Sequence, residues 1–160
     1  MHKLHLLLER LADAGIEFVV IGGYAAVIHG SALVTRDVDV CAVLSAENVA
    51  KLRSALGDLN PVHRITHKKL SFLEHPAPGQ AMANLYLETD IGTLDILSSV
   101  LGVGEYARLK ERAVEAMIFG RKCSIISLDD LIAAKEAVGR EKDLLAVKEL
   151  RAIAAMRAKT

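Results

Sequence analysis

Cysteine, net charge and long apolar runs are all scarce here, and each absence closes off a class of function. The 160 residues include two cysteines, Cys41 and Cys123, both in apolar strand-like runs. Neither has a CxxC partner or a nearby histidine cluster, so no disulfide framework and no cysteine-held metal is expected. The N-terminus shows no charged-then-apolar leader, so export is not expected and both thiols read as reduced core residues. Hydrophobic residues make up 52% of the chain, yet no run approaches the roughly 20 residues that span a bilayer. A cytoplasmic protein with no membrane partner is the expectation. Lys and Arg number 20 and Asp and Glu number 20, for a formal net charge of +0. That balance argues against general coating of nucleic acid and leaves room only for local basic patches. There is no internal repeat, low-complexity segment or linker. The length suits a single domain over residues 1–160, with a sizeable core.

What is present is a glycine pair closing an apolar strand, followed one helix later by two aspartates around a valine. The first stretch runs from Phe18 to Ile21, then Gly22-Gly23-Tyr24, to His29-Gly30; the second is Thr35-Arg36-Asp37-Val38-Asp39-Val40. Alternate side chains of a strand share a face, so Asp37 and Asp39 project together, about 7 Å apart along the chain. Two like charges so placed repel unless a cation lies between them. Hard carboxylate oxygens suit Mg²⁺, which takes one or two of them and fills its shell with water and phosphate. The glycine turn, at a helix N-terminus, offers backbone N–H groups and a dipole to that phosphate. A bare DxD is more often a solvated strand face paired with a neighbour such as Arg36. The glycine pair one helix earlier is what lifts this one.

The remaining pattern predicts an α/β (α+β) fold: a mixed sheet flanked by helices, with a short helical tail over about 127–157. Leu4, Leu7, Leu8 and Leu11 recur at helical spacing and Gly15 stops the run. A strand is expected at Glu17–Ile21, a helix at Gly22–His29 and a strand at Val38–Leu44. Ser45 is the expected N-cap of a helix ending near Gly57. A strand is expected at His63–Thr66, with a loop at Pro76–Gly79. Met82–Thr89 and Thr93–Leu97 predict a hairpin through Asp90-Ile91-Gly92. A helix at Tyr106–Arg112 precedes a second hairpin, Val114–Phe119 and Lys122–Ile126, turning at Gly120-Arg121. Ser127-Leu-Asp-Asp130 has the form of a capping box, with aspartate in place of glutamate, for a helix ending at Gly139. A last helix covers Glu141–Met156.

Asp95 is the third candidate carboxylate. Aspartate is depleted in strand interiors, and this one sits between Leu94 and Ile96. It either tips outward at a strand end or joins Asp37 and Asp39, because an ionised carboxylate is costly to bury unpaired. Lys135 falls within the apolar stripe of Leu128, Leu131 and Val138. It either snorkels to water or reaches a phosphate. Arg140, Lys142 and Asp143 rank below it as a solvated helix end. His29 reads as a cap on the last helical carbonyls, with donation to a substrate as the lesser reading. The basic stretch His63, Arg64, His67, Lys68, Lys69 reads as a solvated loop, or else as an RNA contact.

With these residues in place, the chain resembles the nucleotidyltransferase superfamily that includes DNA polymerase beta. Gly22-Gly23, Asp37/Asp39 and Asp95 match its glycine turn, its DxD pair and its later third aspartate in order and rough spacing. More narrowly, Gly22 to Ala26 through His29-Gly30, Thr35 to Asp39, and the ending from Ser127 through Asp129, Asp130, Lys135, Arg140, Lys142 and Asp143 look like the small bacterial branch of AbiEii-type abortive-infection toxins. The resemblance spans Phe18 to Leu150 and is weakest between Pro61 and Ala81. It implies two Mg²⁺ ions held by Asp37, Asp39 and Asp95, and a nucleoside triphosphate held by Gly22, Gly23, Arg36 and Lys135. It implies transfer of a nucleoside monophosphate to an acceptor hydroxyl, on RNA or protein, with a toxin–antitoxin connection. A homodimer or a cognate toxin or antitoxin would be the partner. Two departures stand out: Gly23 replaces the serine of many relatives, and no long C-terminal acceptor domain follows. The competing readings are a non-catalytic nucleotide-binding or antitoxin-like module and a small-molecule transferase of the aminoglycoside-adenylating kind. The three aspartates argue against the first. Short length argues against the second, unless a dimer builds the acceptor pocket.

Overall fold

The computed structural model describes residues 3–159. Its centre is a mixed seven-stranded sheet, built from β1 (Val19–Ile21), β2 (Asp37–Cys41), β3 (Val62–His63), β4 (Asn84–Thr89), β5 (Gly92–Leu97), β8 (Val114–Ile118) and β9 (Arg121–Ile125). The spatial order is β3-β4-β5-β2-β1-β9-β8. β2 runs parallel to β5 and antiparallel to β1, while β1 runs parallel to β9. A two-stranded ribbon, β6 (Ser99–Val100) with β7 (Gly104–Glu105), stands apart from the sheet. The helices are α1 (Leu4–Asp13), α2 (Gly22–His29), α3 (Ala46–Leu56), α4 (Tyr106–Arg112), α5 (Leu128–Val138) and α6 (Glu141–Ala158). None of the helices among the described residues is long and apolar enough to cross a membrane.

Strand alternation divides the sheet into two unlike faces. Val38, Val40, Leu94, Ile96, Leu85 and Leu87 are all buried, and their register places them on one side. α1 lies over that side: a Cβ added at Gly92, on the same face as Leu94 and Ile96, would meet Leu4 and Leu7 of α1. Leu4, Leu7, Leu8 and Leu11 are buried, at about 1.5–3 kcal/mol for each side chain fully withdrawn from water. The opposite face carries Asp37, Asp39 and Asp95, and α2 begins there.

Most expected elements are found within two residues of their predicted ends, and the caps explain why. Ser45 and Ser127 each accept a hydrogen bond from the backbone N–H three residues on, at 3.1 Å in both cases. Gly15, Gly30 and Gly139 take positive φ where α1, α2 and α5 stop. Three expectations need correction. The strand expected over His63–Thr66 is only Val62–His63, because Thr66 turns its hydroxyl onto the His63 carbonyl at 3.0 Å and bends the chain away. The second hairpin turns at Phe119-Gly120, not Gly120-Arg121: Ile118 pairs with Arg121, and both turn residues have positive φ. A two-residue hairpin turn of that hand matches strand twist. The capping box at α5 is half formed, since Asp130 pairs with Arg108 at 3.4 Å.

Candidate active site

The turn into α2 positions the site. Gly22 has φ +66°, a conformation that favours glycine. A Cβ added there would collide with the Asp39 carboxylate, so the side chain of Asp39 lies directly against the turn. A Cβ on Gly23 would come 2.9 Å from the Thr35 hydroxyl oxygen. Thr35 therefore occupies the space that a serine side chain at position 23 would need. The first turn of any helix leaves N–H groups without intrahelical partners. Here that turn opens on a cavity of about 420 Å³ lined by Gly22, Gly23, Thr35, Asp37, Asp39, Lys135, Arg140, Lys142 and Asp143, with apolar walls from Leu33, Leu97, Leu131 and Val138. This is within the usual size of a small-ligand site.

The aspartates sit where strand alternation predicts. Asp39 on β2 is the register partner of Asp95 on β5, and of Ile21 on β1. Residues directly opposite one another on adjacent strands share a face, so Asp37, Asp39 and Asp95 all project to the same side. Burial and neighbouring charge act on Asp39 and Asp95. Asp39 is pushed up to about 7, first by burial and then by the charges of Asp95 and Asp37, with Arg64 and Lys135 pulling the other way. Burial also raises Asp95, against the pull of Arg64.

Asp95 differs from the other two in its partner. Arg64 grips it with a fork: Nε donates to Oδ1 at 3.1 Å and Nη2 donates to Oδ2. Asp95 does not line the cavity. Among the described residues, no three His, Cys, Asp or Glu side chains are grouped so as to hold a metal ion. The donor chemistry nonetheless fits magnesium at Asp37 and Asp39. Two hard carboxylates line one cavity, and burial followed by the charges of its neighbours raises the proton affinity of Asp39, a cost that a bound cation would relieve. Two carboxylates plus substrate oxygens and water are what Mg²⁺ ordinarily takes.

The other candidates divide. Gly22, Gly23 and Lys135 line the cavity; Arg36 is exposed and is not among the lining residues. Arg140, Lys142 and Asp143, read from sequence as a solvated helix end, line it as well. Asp143 accepts from the Arg140 backbone N–H at 3.3 Å and from its Nε at 2.7 Å, which fixes the entry to α6. His29 is structural. Its Nε2 donates to the Ile126 carbonyl at 2.7 Å, while Arg157 donates to its Nδ1 at 3.1 Å and to its carbonyl at 2.8 Å. Sequence reasoning missed Arg64 as a partner of Asp95. The only trace was an arginine at the start of a basic stretch otherwise set aside as loop.

Neither a family model nor a curated protein sequence matches the chain. Solved structures do. The lincosamide antibiotic adenylyltransferase LnuA, lincomycin-bound, superposes with TM-score 0.66 at 18% identity, covering 96% of this chain and 97% of that one. The antibiotic-resistance factor ANT(2'')-Ia gives 0.57 at 16%, over 99% and 91%. An antigenic nucleotidyltransferase-like protein from Paracoccidioides brasiliensis gives 0.56 at 14%, over 96% and 74%. The mixed sheet with its flanking helices thus has the fold of nucleotidyltransferases.

Proposed function

We propose that the protein is a Mg²⁺-dependent nucleotidyltransferase that moves a nucleoside monophosphate from a nucleoside triphosphate to an acceptor hydroxyl, with residues 1–160 as one catalytic domain. The observation that carries this is the shared cavity of the Gly22-Gly23 turn, Asp37, Asp39 and Lys135. The lining supplies both carboxylates for a metal and cations for a polyphosphate.

Asp37 and Asp39 would hold the metal ion, whose chemistry when bound would be to offset phosphate charge. The α2 N-terminus at Gly22-Gly23 presents backbone N–H groups to a phosphate oxygen. Lys135 and Lys142 offset the charge that builds on the departing pyrophosphate. Asp95 orients the acceptor hydroxyl and takes its proton, a task helped by the burial that raises its proton affinity. The acceptor oxygen forms a bond to the α-phosphorus as the bond to the bridging oxygen breaks, and the electron pair leaves with pyrophosphate.

For the acceptor, RNA or protein was favoured by the resemblance to abortive-infection toxins. A second reading, a small hydroxylated molecule, is favoured by one observation: LnuA, a lincosamide adenylyltransferase, is matched over 97% of its length by this chain. Short length therefore does not argue against a small acceptor. The test is incubation with each α-labelled triphosphate, Mg²⁺ and a complete lysate, followed by separation of RNA, protein and small molecules. Label on any one of these from the wild type, and none from Asp37→Asn, supports the function and names the acceptor class. No label from any triphosphate overturns it.

A further inference from the structure

The nucleotidyltransferase reading calls for a cation beside Asp95, and the chain already supplies one. We propose that the Arg64 guanidinium stands in for a second divalent ion at Asp95, so that the protein holds one metal ion, at Asp37 and Asp39. The inference rests on the function proposed above and refines its metal requirement.

The geometry is that of a built contact. Both Asp95 oxygens accept from the arginine fork, so a cation already balances the carboxylate's charge, while each oxygen keeps a lone pair for an acceptor hydroxyl. A planar guanidinium matches a carboxylate in this two-bond arrangement, where an ammonium would not. Asp95 is largely withdrawn from solvent, its side chain 14% exposed against 33% for Arg64. Salt and water therefore screen the pair less than they would an exposed one.

Arg64 is also fixed at its root. Its backbone N–H donates to the Tyr86 carbonyl at 3.0 Å, directly after β3 pairs His63 with Leu87. Its guanidinium carbon stands 5.5 Å from the centroid of the Tyr86 ring. Tyr86 is itself the register partner of Asp95. One residue thus braces the arginine while its neighbour in the sheet receives it. A loop arginine meeting a carboxylate by chance would lack this support.

The consequence is a count. Equilibrium dialysis of Mn²⁺, with the metal read by atomic absorption, is run on protein saturated with a triphosphate analogue that carries a methylene in place of the α,β-bridging oxygen. The wild type is expected to retain about one ion per chain, and Asp95→Asn also about one. Arg64→Met, which keeps the stem over Tyr86 but removes the charge, is expected to retain about two. Arg64→Gln runs in parallel so that either folded variant decides. About two ions on the wild type overturns the inference, as does about one ion on a variant whose circular dichroism matches the wild type. Failure of the wild type to bind the analogue with Mn²⁺ overturns the nucleotidyltransferase reading itself, and the inference with it.

Discussion

The Asp39 carboxylate rests against the backbone of Gly22, so closely that the glycine has no room for a methyl group. The glycine turn and the Asp39 carboxylate are therefore one packed unit, and a change at Gly22 is felt at Asp39. Gly22→Ala pays twice: strain at φ +66° and displacement of Asp39. A loss of about 1–3 kcal/mol in unfolding free energy is expected. The rise in melting temperature that Mg²⁺ with triphosphate gives the wild type should shrink in the variant. An equal rise in both would separate Asp39 from metal binding.

Asp39 also sets a pH dependence with a definite sign. Its folded-state value of about 7 lies above the ordinary 3.8, so the native chain keeps a proton that the unfolded chain releases. Stability from this group is fully present below about pH 4 and is lost as pH rises towards 7. The expected cost at pH 8 is on the order of 4 kcal/mol, at about 1.4 kcal/mol for each tenfold change in proton affinity. Asp39→Asn carries no such cost. Without metal it should be more stable than the wild type at pH 8, with the difference vanishing near pH 4, as read by urea unfolding. Mg²⁺ should raise wild-type stability at pH 8 and leave Asp39→Asn unmoved.

The parts of this site that were legible in the sequence are those written in short-range rules. Alternation placed Asp37 and Asp39 on one face, and an aspartate flanked by Leu94 and Ile96 on an apolar strand signalled Asp95. Caps and stops such as Ser45, Ser127, Gly30 and Gly139 fixed the helices. What escaped is long-range or too short to show a period. Arg64 meets Asp95 across 31 positions of sequence, and nothing local distinguishes it from His67 or Lys68. β6 and β7 have two residues each, a single repeat of the strand period and too short to show alternation. Arg140, Lys142 and Asp143 look like a solvated helix end until α5 and α6 pack together and turn them to the cavity.

Lys135 tests the cationic side chains of the cavity. It lines the cavity together with Asp37 and Asp39, and its charge favours the ionised form of Asp39. Lys135→Met keeps the stem and removes the ammonium. Triphosphate affinity measured by calorimetry should fall about tenfold, equivalent to about 1.4 kcal/mol. Affinity for the bare nucleoside should hold. An equal loss for both ligands would point to damaged packing in place of a lost phosphate contact.

His29 provides a contrast, because its contacts are internal. His29→Leu leaves the Ile126 carbonyl without its donor and should cost about 1–3 kcal/mol in stability. Burial and the nearby Arg157 hold the proton affinity of His29 down. The unfolded chain therefore takes up a proton more readily, and wild-type stability declines as pH falls below the ordinary histidine range near 6.5. The variant should lose that part of the acid dependence. Since His29 is absent from the cavity lining, the folded variant should bind triphosphate as the wild type does.

Pyrophosphate release, measured alongside nucleotide affinity on the wild type and Asp95→Asn, tests the central claim most directly. Asp95 lies on the carboxylate face beside Asp39 but outside the cavity wall, so its charge should matter to the attacking oxygen more than to bound triphosphate. The account predicts acceptor-dependent pyrophosphate release by the wild type with Mg²⁺. It predicts that Asp95→Asn keeps triphosphate affinity within a few fold, while release falls by about two orders of magnitude or more. Unchanged release in Asp95→Asn would contradict its place in the chemistry. No pyrophosphate from the wild type with any of the four triphosphates would contradict nucleotidyl transfer altogether.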